Sequence, residues 1–418
     1  MRRCWLRGAW FILFASLAGI PTIHALEYGL NFDNRTEIRH RGTDNSFSYS
    51  QQDVFRLWLR IHPAEAFRLD AQGAAGFEPG EDAFPDLEVL SLSGLVPFAS
   101  GVFGYELGRT VLNVGDGLLL NHPVDALILQ YGRGLVSMRV GAGYFGLLRK
   151  ESVSLIASAA DQSDAADEDQ FFAPRRMVSF FEIGFPELLG LHSPLLGYVR
   201  QDDLRASSGA ERLDTQYLVA AIAGPVSRSW YYRLLGVGGL LEHQGADTDP
   251  ETREGYFYFG DITLDWFPNE RTRVGLGARF GSGEDGDVVA YAPISEPPNG
   301  TVFQPGLGNI AKLSLGLDRR VLAGAREEAL RGLAMGIDAA VYMRTSEAAI
   351  RETGLSSTAG AGYLGTEGLV RLAFRPFSDV GMTARSGIFV PNRGSDGFDK
   401  DGRGDVQWMS RLEFSLAL

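Results

Sequence analysis

The 418-residue sequence has almost no cysteine, since the only one is Cys4, close to the start of the chain. A single cysteine cannot form an intrachain disulfide, so the fold has to be stable without one. After the first 25 residues the sequence also lacks any uninterrupted apolar run of about 18 residues, the length that a transmembrane helix needs. These absences exclude a disulfide-rich secreted domain and a helical membrane protein.

Positive charge is also scarce. The chain carries 39 Lys and Arg against 52 Asp and Glu, which gives a formal net charge of −13. Proteins that bind nucleic acid by its phosphates are usually basic, so this balance argues against nucleic acid as a partner. It does not argue against anionic small molecules, because the charge inside a channel can oppose that of the loops.

The first 25 residues have the pattern of a secretory signal peptide. Three arginines precede an apolar stretch from Ala9 to Ile20, and Ala25 offers a small residue for cleavage. An uncleaved anchor is the alternative, but a spanning helix needs roughly 20 apolar residues. We therefore predict a signal peptide over residues 1–25 and one mature domain over residues 26–418.

What the sequence does contain is a regular alternation of apolar and polar residues, clearest in the last fourteen. The apolar set there is Val406, Trp408, Leu412, Phe414, Leu416 and Leu418. Chain ends usually fray, so a two-faced strand that runs to the last residue indicates a sheet that needs this strand. A transmembrane β-barrel has this requirement, because its sheet must close on itself in lipid.

The same alternation along the whole chain predicts eighteen strands. They are expected near residues 26–41, 54–62, 67–73, 87–95, 102–109, 126–132, 135–145, 177–185, 195–202, 214–224, 229–242, 256–267, 271–281, 311–320, 333–344, 363–374, 379–390 and 405–418. The connections alternate between long and short. Long loops should face the cell exterior and short turns the periplasm, as in bacterial outer-membrane barrels.

These patterns predict an all-β fold: a transmembrane antiparallel up-and-down β-barrel of about 18 strands in the outer membrane. We expect it to be a monomer whose partners are outer-membrane lipid and lipopolysaccharide, the outer-membrane assembly machinery and a solute. No Gly-x-Ser-x-Gly or His-Glu-x-x-His motif is present, so we expect no enzyme activity.

Three stretches resemble the alginate-export family of outer-membrane porins. The first contains Gly108-Arg109, the turn Gly115-Asp116-Gly117 and the pair Asp125-Ala126; the second is the hairpin from Asp265 to Asp285, with Ser282-Gly283 in its loop; and the third is Arg56 to Arg60. The resemblance implies a porin and, at its most specific, export of acidic polysaccharide. For Arg109 and Asp116 we predict charge-assisted hydrogen bonds that stabilise the mouth of the pore.

Strand parity predicts which side chains line the lumen. Between residues 54 and 62 the odd positions are apolar, so Arg56 and Arg60 should point inward, because an arginine facing lipid costs roughly 2–4 kcal/mol at the membrane midplane. The same test places further charged residues inside: Arg68, Asp70, Arg139, Glu182, Arg200, Arg233, Asp261, Asp265, Arg273, Arg279, Lys312, Asp318, Asp338, Glu367, Arg371, Arg385, Arg411 and Glu413.

Two interpretations of this charged lining remain open. In one, the surplus of arginine forms a positive constriction that attracts anions, and the protein is a channel for hydrophilic, anionic solutes such as sugar acids or acidic polysaccharide. In the other, each arginine pairs with a neighbouring acid and only holds the strands in register. The alternative function is then a structural or adhesive surface barrel with a closed lumen.

Two long loops, 146–176 and 282–310, are long enough to fold into the lumen. Because residues 290–309 contain many apolar side chains, we expect this part to be ordered and turned inward. No cofactor is expected. The acidic loop with Asp396, Asp399, Asp401 and Asp405 is a weak candidate for calcium binding, because its carboxylate oxygens alternate around glycine. That loop lacks the glutamate that completes an EF-hand.

Overall fold

A computed structural model describes most of the chain. The described residues are 25–40, 47–64, 66–80, 83–153, 155, 161, 167, 169–188, 190–205, 212–244, 252–295, 297–348, 362–392 and 406–418. The predicted signal peptide, apart from Ala25, and the predicted calcium loop lie outside these ranges. Both stay predictions.

The described residues form eighteen β-strands. They are β1 (Ala25–His40), β2 (Phe47–Ala64), β3 (Phe67–Phe77), β4 (Phe84–Phe98), β5 (Gly101–Val114), β6 (Leu120–Arg133), β7 (Val136–Tyr144), β8 (Arg176–Gly184), β9 (Ser193–Asp203), β10 (Arg212–Ser227), β11 (Trp230–Gln244), β12 (Thr252–Asn269), β13 (Thr272–Gly281), β14 (Ile310–Arg320), β15 (Ala334–Arg344), β16 (Tyr363–Phe377), β17 (Val380–Pro391) and β18 (Gln407–Ala417). One short helix, α1 (Glu328–Arg331), lies in the turn between β14 and β15.

The strands form one closed antiparallel barrel. Each strand pairs with its neighbours in sequence, and β1 also pairs with β18 from Asn31 opposite Ala417 to His40 opposite Trp408. The predicted fold class and strand number are therefore confirmed. Barrels of 16 to 18 strands are wide enough to enclose an aqueous channel.

The outer face of the barrel is apolar. Phe55, Leu57, Leu218, Leu315 and Leu372 are among the large apolar side chains that the fold leaves exposed. Because successive residues of a strand face opposite sides, these positions fix the opposite set as inward. Among the residues that the structure describes, no helix is long and apolar enough to span a membrane.

Several strands are longer than the alternation predicts. β2 begins at Phe47 instead of near residue 54, and its pairing with β1 continues up to His40 opposite Phe47. Within the extra part, Gln51, Gln52 and Asp53 are polar on both faces and interrupt the alternation, and Phe47 and Tyr49 lie beyond them. The hydrogen-bonded ladder continues beyond the apolar band, where hydrophobic alternation gives no signal.

One hairpin leaves the barrel wall. The pairing between β4 and β5 ends at Leu90 opposite Arg109, and the pairing between β6 and β7 ends at Asp125 opposite Tyr144. Residues 110–114 and 120–124 continue to pair only with each other. This part of the chain, residues 110–124, is called the in-folded hairpin below, because the apolar side chains of one face, including Leu112, Leu120 and Val124, are buried inside the barrel.

The in-folded hairpin forms the largest hydrophobic core of the molecule. Leu112, Leu119, Leu120 and Val124 are fully buried. They belong to one cluster with inward-facing residues of β8 to β12: Val178, Phe180, Val199, Tyr217, Val219, Leu235, Val237, Phe257 and Phe259. An apolar core inside the lumen can form only where an element fills it, so the hairpin closes part of the channel.

A second segment, residues 282–309, also enters the lumen and is called the crossing segment. Tyr291, Ile294, Val302 and Phe303 in it are each at most 3% exposed. Its contacts reach residues as far apart as Tyr217 of β10 and Arg39 of β1. A segment can contact both strands only from inside the barrel, so the predicted inward fold of residues 290–309 is confirmed.

Candidate functional site: the lumen and its constriction

Arg109 lies at the point where the hairpin leaves the wall. Its guanidinium donates two hydrogen bonds to the Asp125 carboxylate, at 3.0 and 2.9 Å, one to the carbonyl of Leu87 and one to that of Leu147. It thus connects β4, the base of the hairpin and the chain that follows β7. The preceding Gly108 has φ +120°, and a Cβ there would lie 2.2 Å from the Leu90 carbonyl oxygen. Only glycine fits this bend.

We expect Arg109→Ala to lower the free energy of unfolding by roughly 1–3 kcal/mol, because it leaves the Asp125 carboxylate and two carbonyls without their donor. Urea unfolding in lipid vesicles measures this change. Arg200→Ala is the control, since that arginine forms only an exposed ion pair, which contributes little. A larger effect of Arg109→Ala on ion selectivity than on stability would show that Arg109 belongs to the filter.

The turn Gly115-Asp116-Gly117 forms the tip of the in-folded hairpin. Asp116 adopts φ +53°, between two glycines that also have positive φ. Its carboxylate lies 3.7 Å from Arg233 on the inner face of β11. The tip therefore reaches through the lumen to the inner face of β11, and Asp116 forms a long ion pair there instead of the hydrogen bonds that were expected for it.

The crossing segment rests on this tip. The backbone N–H of Ile294 donates to the Leu119 carbonyl at 2.9 Å, and the Tyr291 hydroxyl donates to the Leu118 carbonyl at 3.3 Å. Burial raises the pKa of the Tyr291 phenol well above its ordinary value, so the hydroxyl stays protonated as a donor. The two in-folded elements therefore support each other.

Glu367 of β16 anchors the crossing segment on its other side. This side chain is 5% exposed, and its carboxylate accepts hydrogen bonds from the backbone N–H groups of Thr301, Val302 and Phe303, at 2.9–3.3 Å. Arg39 of β1 donates to the carbonyls of Thr301 and Val302. The Glu367 carboxylate thus binds the N–H groups of this turn, and the Arg39 guanidinium binds its carbonyl groups.

Two positively charged side chains also bind the crossing segment at Asn299. Lys312 of β14 donates to the Asn299 carbonyl at 2.5 Å, and Arg279 of β13 donates to the Asn299 side-chain oxygen at 3.1 Å. Ser282, from the family motif, donates to the Val289 carbonyl, while a Cβ on Gly283 would lie 2.2 Å from the Ser346 hydroxyl. These motif residues shape the loop.

Each arginine predicted to line the lumen forms an ion pair. The partners are Asp33 and Glu88 for Arg56, Glu27 and Asp70 for Arg60, Asp70 for Arg68, Glu182 for Arg139, Asp116 and Asp261 for Arg233, Asp265 and Asp318 for Arg273, Asp261 for Arg279, Asp318 for Arg371, Glu413 for Arg385, and Glu37 and Glu413 for Arg411. Pairing is therefore extensive, and selectivity depends on where the pairing leaves a local surplus.

Such a surplus occurs on β16, β17 and β18. Arg371 is directly opposite Arg385, and Arg385 is directly opposite Arg411. All three face inward, because they share parity with the inward Glu367 and lie on the face opposite Val370 and Leu412. We call them the three-arginine row. Like charges opposite each other destabilise a sheet, so the row has a cost that an anion in the lumen would offset.

Arg200 does not line the lumen. It lies on β9 opposite Gln216 and pairs with Asp202, and the inward residues of this strand are Val199, Gln201 and Asp203. The prediction is corrected for a physical reason. This end of β9 extends beyond the apolar band, where a charged residue can face outward at no membrane cost.

Sequence parity also missed two acids of the lumen. Glu88 is the extra residue of a bulge in β4, between the pairs Gln72–Val89 and Gly73–Leu87, and a bulge shifts the alternation by one. Glu37 binds Arg35, Arg39 and Arg411 at the closing seam. The spacing of Arg35, Glu37 and Arg39 at alternate positions of β1 was the available signal. In the described ranges no group of three or more His, Cys, Asp or Glu could hold a metal.

Neither a protein-family model nor a curated protein matches the sequence. Solved structures do match. OpdO of Pseudomonas aeruginosa has a TM-score of 0.60 at 15% identity, over 95% of this chain and 98% of that chain. OpdQ of the same organism has 0.60 at 12%, over 95% and 99%. OccK2 (OpdF), solved in complex with glucuronate, has 0.55 at 13%, over 95% and 97%.

At these identities the likeness concerns the fold. These neighbours are OccK-type outer-membrane porins, which are channels and not enzymes, and they do not specifically show the alginate-export family. The porin fold that the resemblance implied is confirmed, while the narrower family assignment is not. The chain thus has the fold of the outer-membrane porins, and its closed 18-stranded barrel, apolar on its outer face, lies in the outer membrane.

Proposed function

We propose that the protein is a channel through which hydrophilic, anionic solutes cross the outer membrane by diffusion. The observation that carries this proposal is the three-arginine row, Arg371, Arg385 and Arg411. These residues lie on the side of the lumen that the in-folded hairpin leaves open. Arg371 and Arg385 are about one third exposed there, so a solute can reach them, while Arg411 is nearly buried behind them; by contrast, much of the inner face of β8 to β12 is buried in the apolar core.

Local electrostatics support anion preference despite the ion pairs. The screening length at physiological salt is about 8 Å, so charges on adjacent strands act together on a passing ion. The row presents three positive charges on adjacent strands; Asp318 and Glu37 lie at its two ends, and Glu413 is shared by Arg385 and Arg411. A carboxylate that binds Arg385 would therefore meet Arg371 on the neighbouring strand, and among the described ion pairs no single acid binds both of these arginines.

Sugar acids are the solutes that fit best. One structural neighbour, OccK2 (OpdF), was solved in complex with glucuronate, and the resemblance to the alginate-export family implies polymers of such acids. In this chain both the hairpin and the crossing segment occupy the lumen. The remaining passage favours monomers and short oligomers.

Swelling of proteoliposomes in glucuronate and in a neutral sugar of equal size tests the proposal. We expect faster swelling in glucuronate than in glucose and an anion-selective reversal potential in a planar bilayer under a salt gradient. Absence of conductance would instead support the alternative, a structural barrel with a closed lumen. Conductance with cation preference would support the proposed channel but contradict its proposed anion specificity.

A further inference from the structure

The barrel wall is interrupted where the hairpin leaves it. Above the pair Leu90–Arg109, residues 84–89 of β4 have no strand partner on the β5 side in the described part of the chain. β7 ends at Tyr144, level with Asp125. Since residues 110–124 are inside the lumen, a gap separates β4 from the chain that follows β7 at the long-loop end.

Residues 145–152, called the cover segment, close this gap. Its backbone hydrogen bonds go to the β8 side, where Phe145 donates to Arg176 and Lys150 donates to Phe171. Toward β4 it is held through side chains: the Arg149 guanidinium lies 4.9 Å from the centre of the Phe84 ring, the Ser152 hydroxyl donates to Asp86 at 2.6 Å, and Arg109 bridges the carbonyls of Leu147 and Leu87. The cover segment is thus fixed on one side and loosely latched on the other.

A large cavity lies directly behind the cover segment. Its volume is about 680 Å³, which is within the range of small-molecule pockets. Its apolar lining is Val54, Ala74, Phe84, Leu87, Val89, Val111, Pro123 and Leu148, and its polar lining includes Arg56, Gln72 and Glu88. Val111 and Pro123 have the parity of lipid-facing residues and reach the lumen only because the hairpin has turned inward. The cavity therefore has an apolar wall and a charged one.

The outside of the same region is apolar. Leu147, Phe171 and Phe172, on the cover segment and the chain beside it, are more than half exposed, and Leu90 and Leu107 just below the gap are exposed as well. Apolar side chains in such a continuous patch indicate contact with lipid or another apolar partner. The gap thus opens toward the outer leaflet on one side and toward Arg56 on the other.

We propose that the gap is a lateral portal for amphipathic solutes and that the cover segment is its gate. The solute class is a small molecule with an apolar ring or short chain and an anionic head. The apolar part packs on Val111, Pro123 and Leu148, and the head moves past Arg56 toward the three-arginine row. This route rests on the proposed channel function for its final step, because the cavity leads into the same lumen.

A disulfide across the latch tests the portal. Because the only cysteine lies in the predicted signal peptide, Asp86→Cys together with Ser152→Cys gives a single pair, whose native side chains already lie in contact. Entry of 4-methylumbelliferyl glucuronide is followed in proteoliposomes that contain β-glucuronidase, and entry of glucuronate by swelling. Ser152→Cys alone, oxidised in the same way, is the control, and heat-modifiable gel migration reports folding.

The oxidised pair should lower the rate for the umbelliferyl glucuronide several-fold and leave glucuronate swelling unchanged, and a reducing agent should restore the rate. Arg149→Ala, which removes the contact with Phe84, should raise the rate for the amphipathic solute alone. Unchanged entry after oxidation overturns the portal, and so does an equal loss for both solutes. Absence of glucuronate swelling in every variant contradicts the proposed channel. This outcome can be distinguished from failure of the portal, because entry of the umbelliferyl glucuronide is measured in a separate assay.

Discussion

Glu367→Gln is expected to raise the single-channel conductance several-fold. The substitution removes the charge that accepts the N–H groups of Thr301, Val302 and Phe303, and it turns an amide N–H₂ group toward other donors. Hydrogen bonds to a charged group contribute about 1.5–3 kcal/mol each. Their loss should release this turn of the crossing segment from the wall and widen the passage.

Glu413→Gln provides a matched control for this experiment. It removes one inward carboxylate of the same type, but its partners are Arg385 and Arg411 and it does not hold the crossing segment. It should alter selectivity and leave the conductance near that of the wild type. Equal conductance of both variants would show that Glu367 acts only through its charge, and the anchoring role would be wrong.

The second large effect is expected at the three-arginine row. Arg385→Gln together with Arg411→Gln should shift the reversal potential strongly toward cation preference, because the change removes two inward positive charges and leaves Glu413 without either of its arginine partners. The shift should be larger at 0.1 M salt, where the screening length is about 10 Å, than at 1 M, where it is about 3 Å. Planar-bilayer recordings at both concentrations measure it.

A double substitution on the outer face separates a lumen effect from a change in net charge. Arg200→Gln with Arg212→Gln removes the same two charges from β9 and β10, where both arginines form exposed pairs with Asp202 and Asp214. It should leave the reversal potential unchanged. Because Arg411 is nearly buried, Arg385→Gln alone, at a partly exposed site, is the variant less prone to misfold. Unchanged selectivity in this single variant would assign the row a structural role.

Sequence alone determined the barrel, its eighteen strands and the sorting of its loops. A barrel wall in lipid needs one apolar residue at every second position, and this demand is local enough to be read from strands such as β2 and β18. The same alternation correctly placed Arg56, Arg279 and Arg385 on the inner face. It failed for Arg200, because alternation carries no information above the membrane, and for Glu88, because a bulge interrupts the period.

The tertiary structure alone decided what occupies the lumen. The pattern of β5 and β6 is the same whether the hairpin stays in the wall or turns inward, since burial against Val219 of β10 and Phe259 of β12 depends on strands that are distant in sequence. The choice between an anion filter and a pairing ladder likewise depended on register across strands. It is register that brings Arg371, Arg385 and Arg411 side by side while other arginines meet acids. Such contacts join residues distant in sequence, and their energies appear only when the barrel closes.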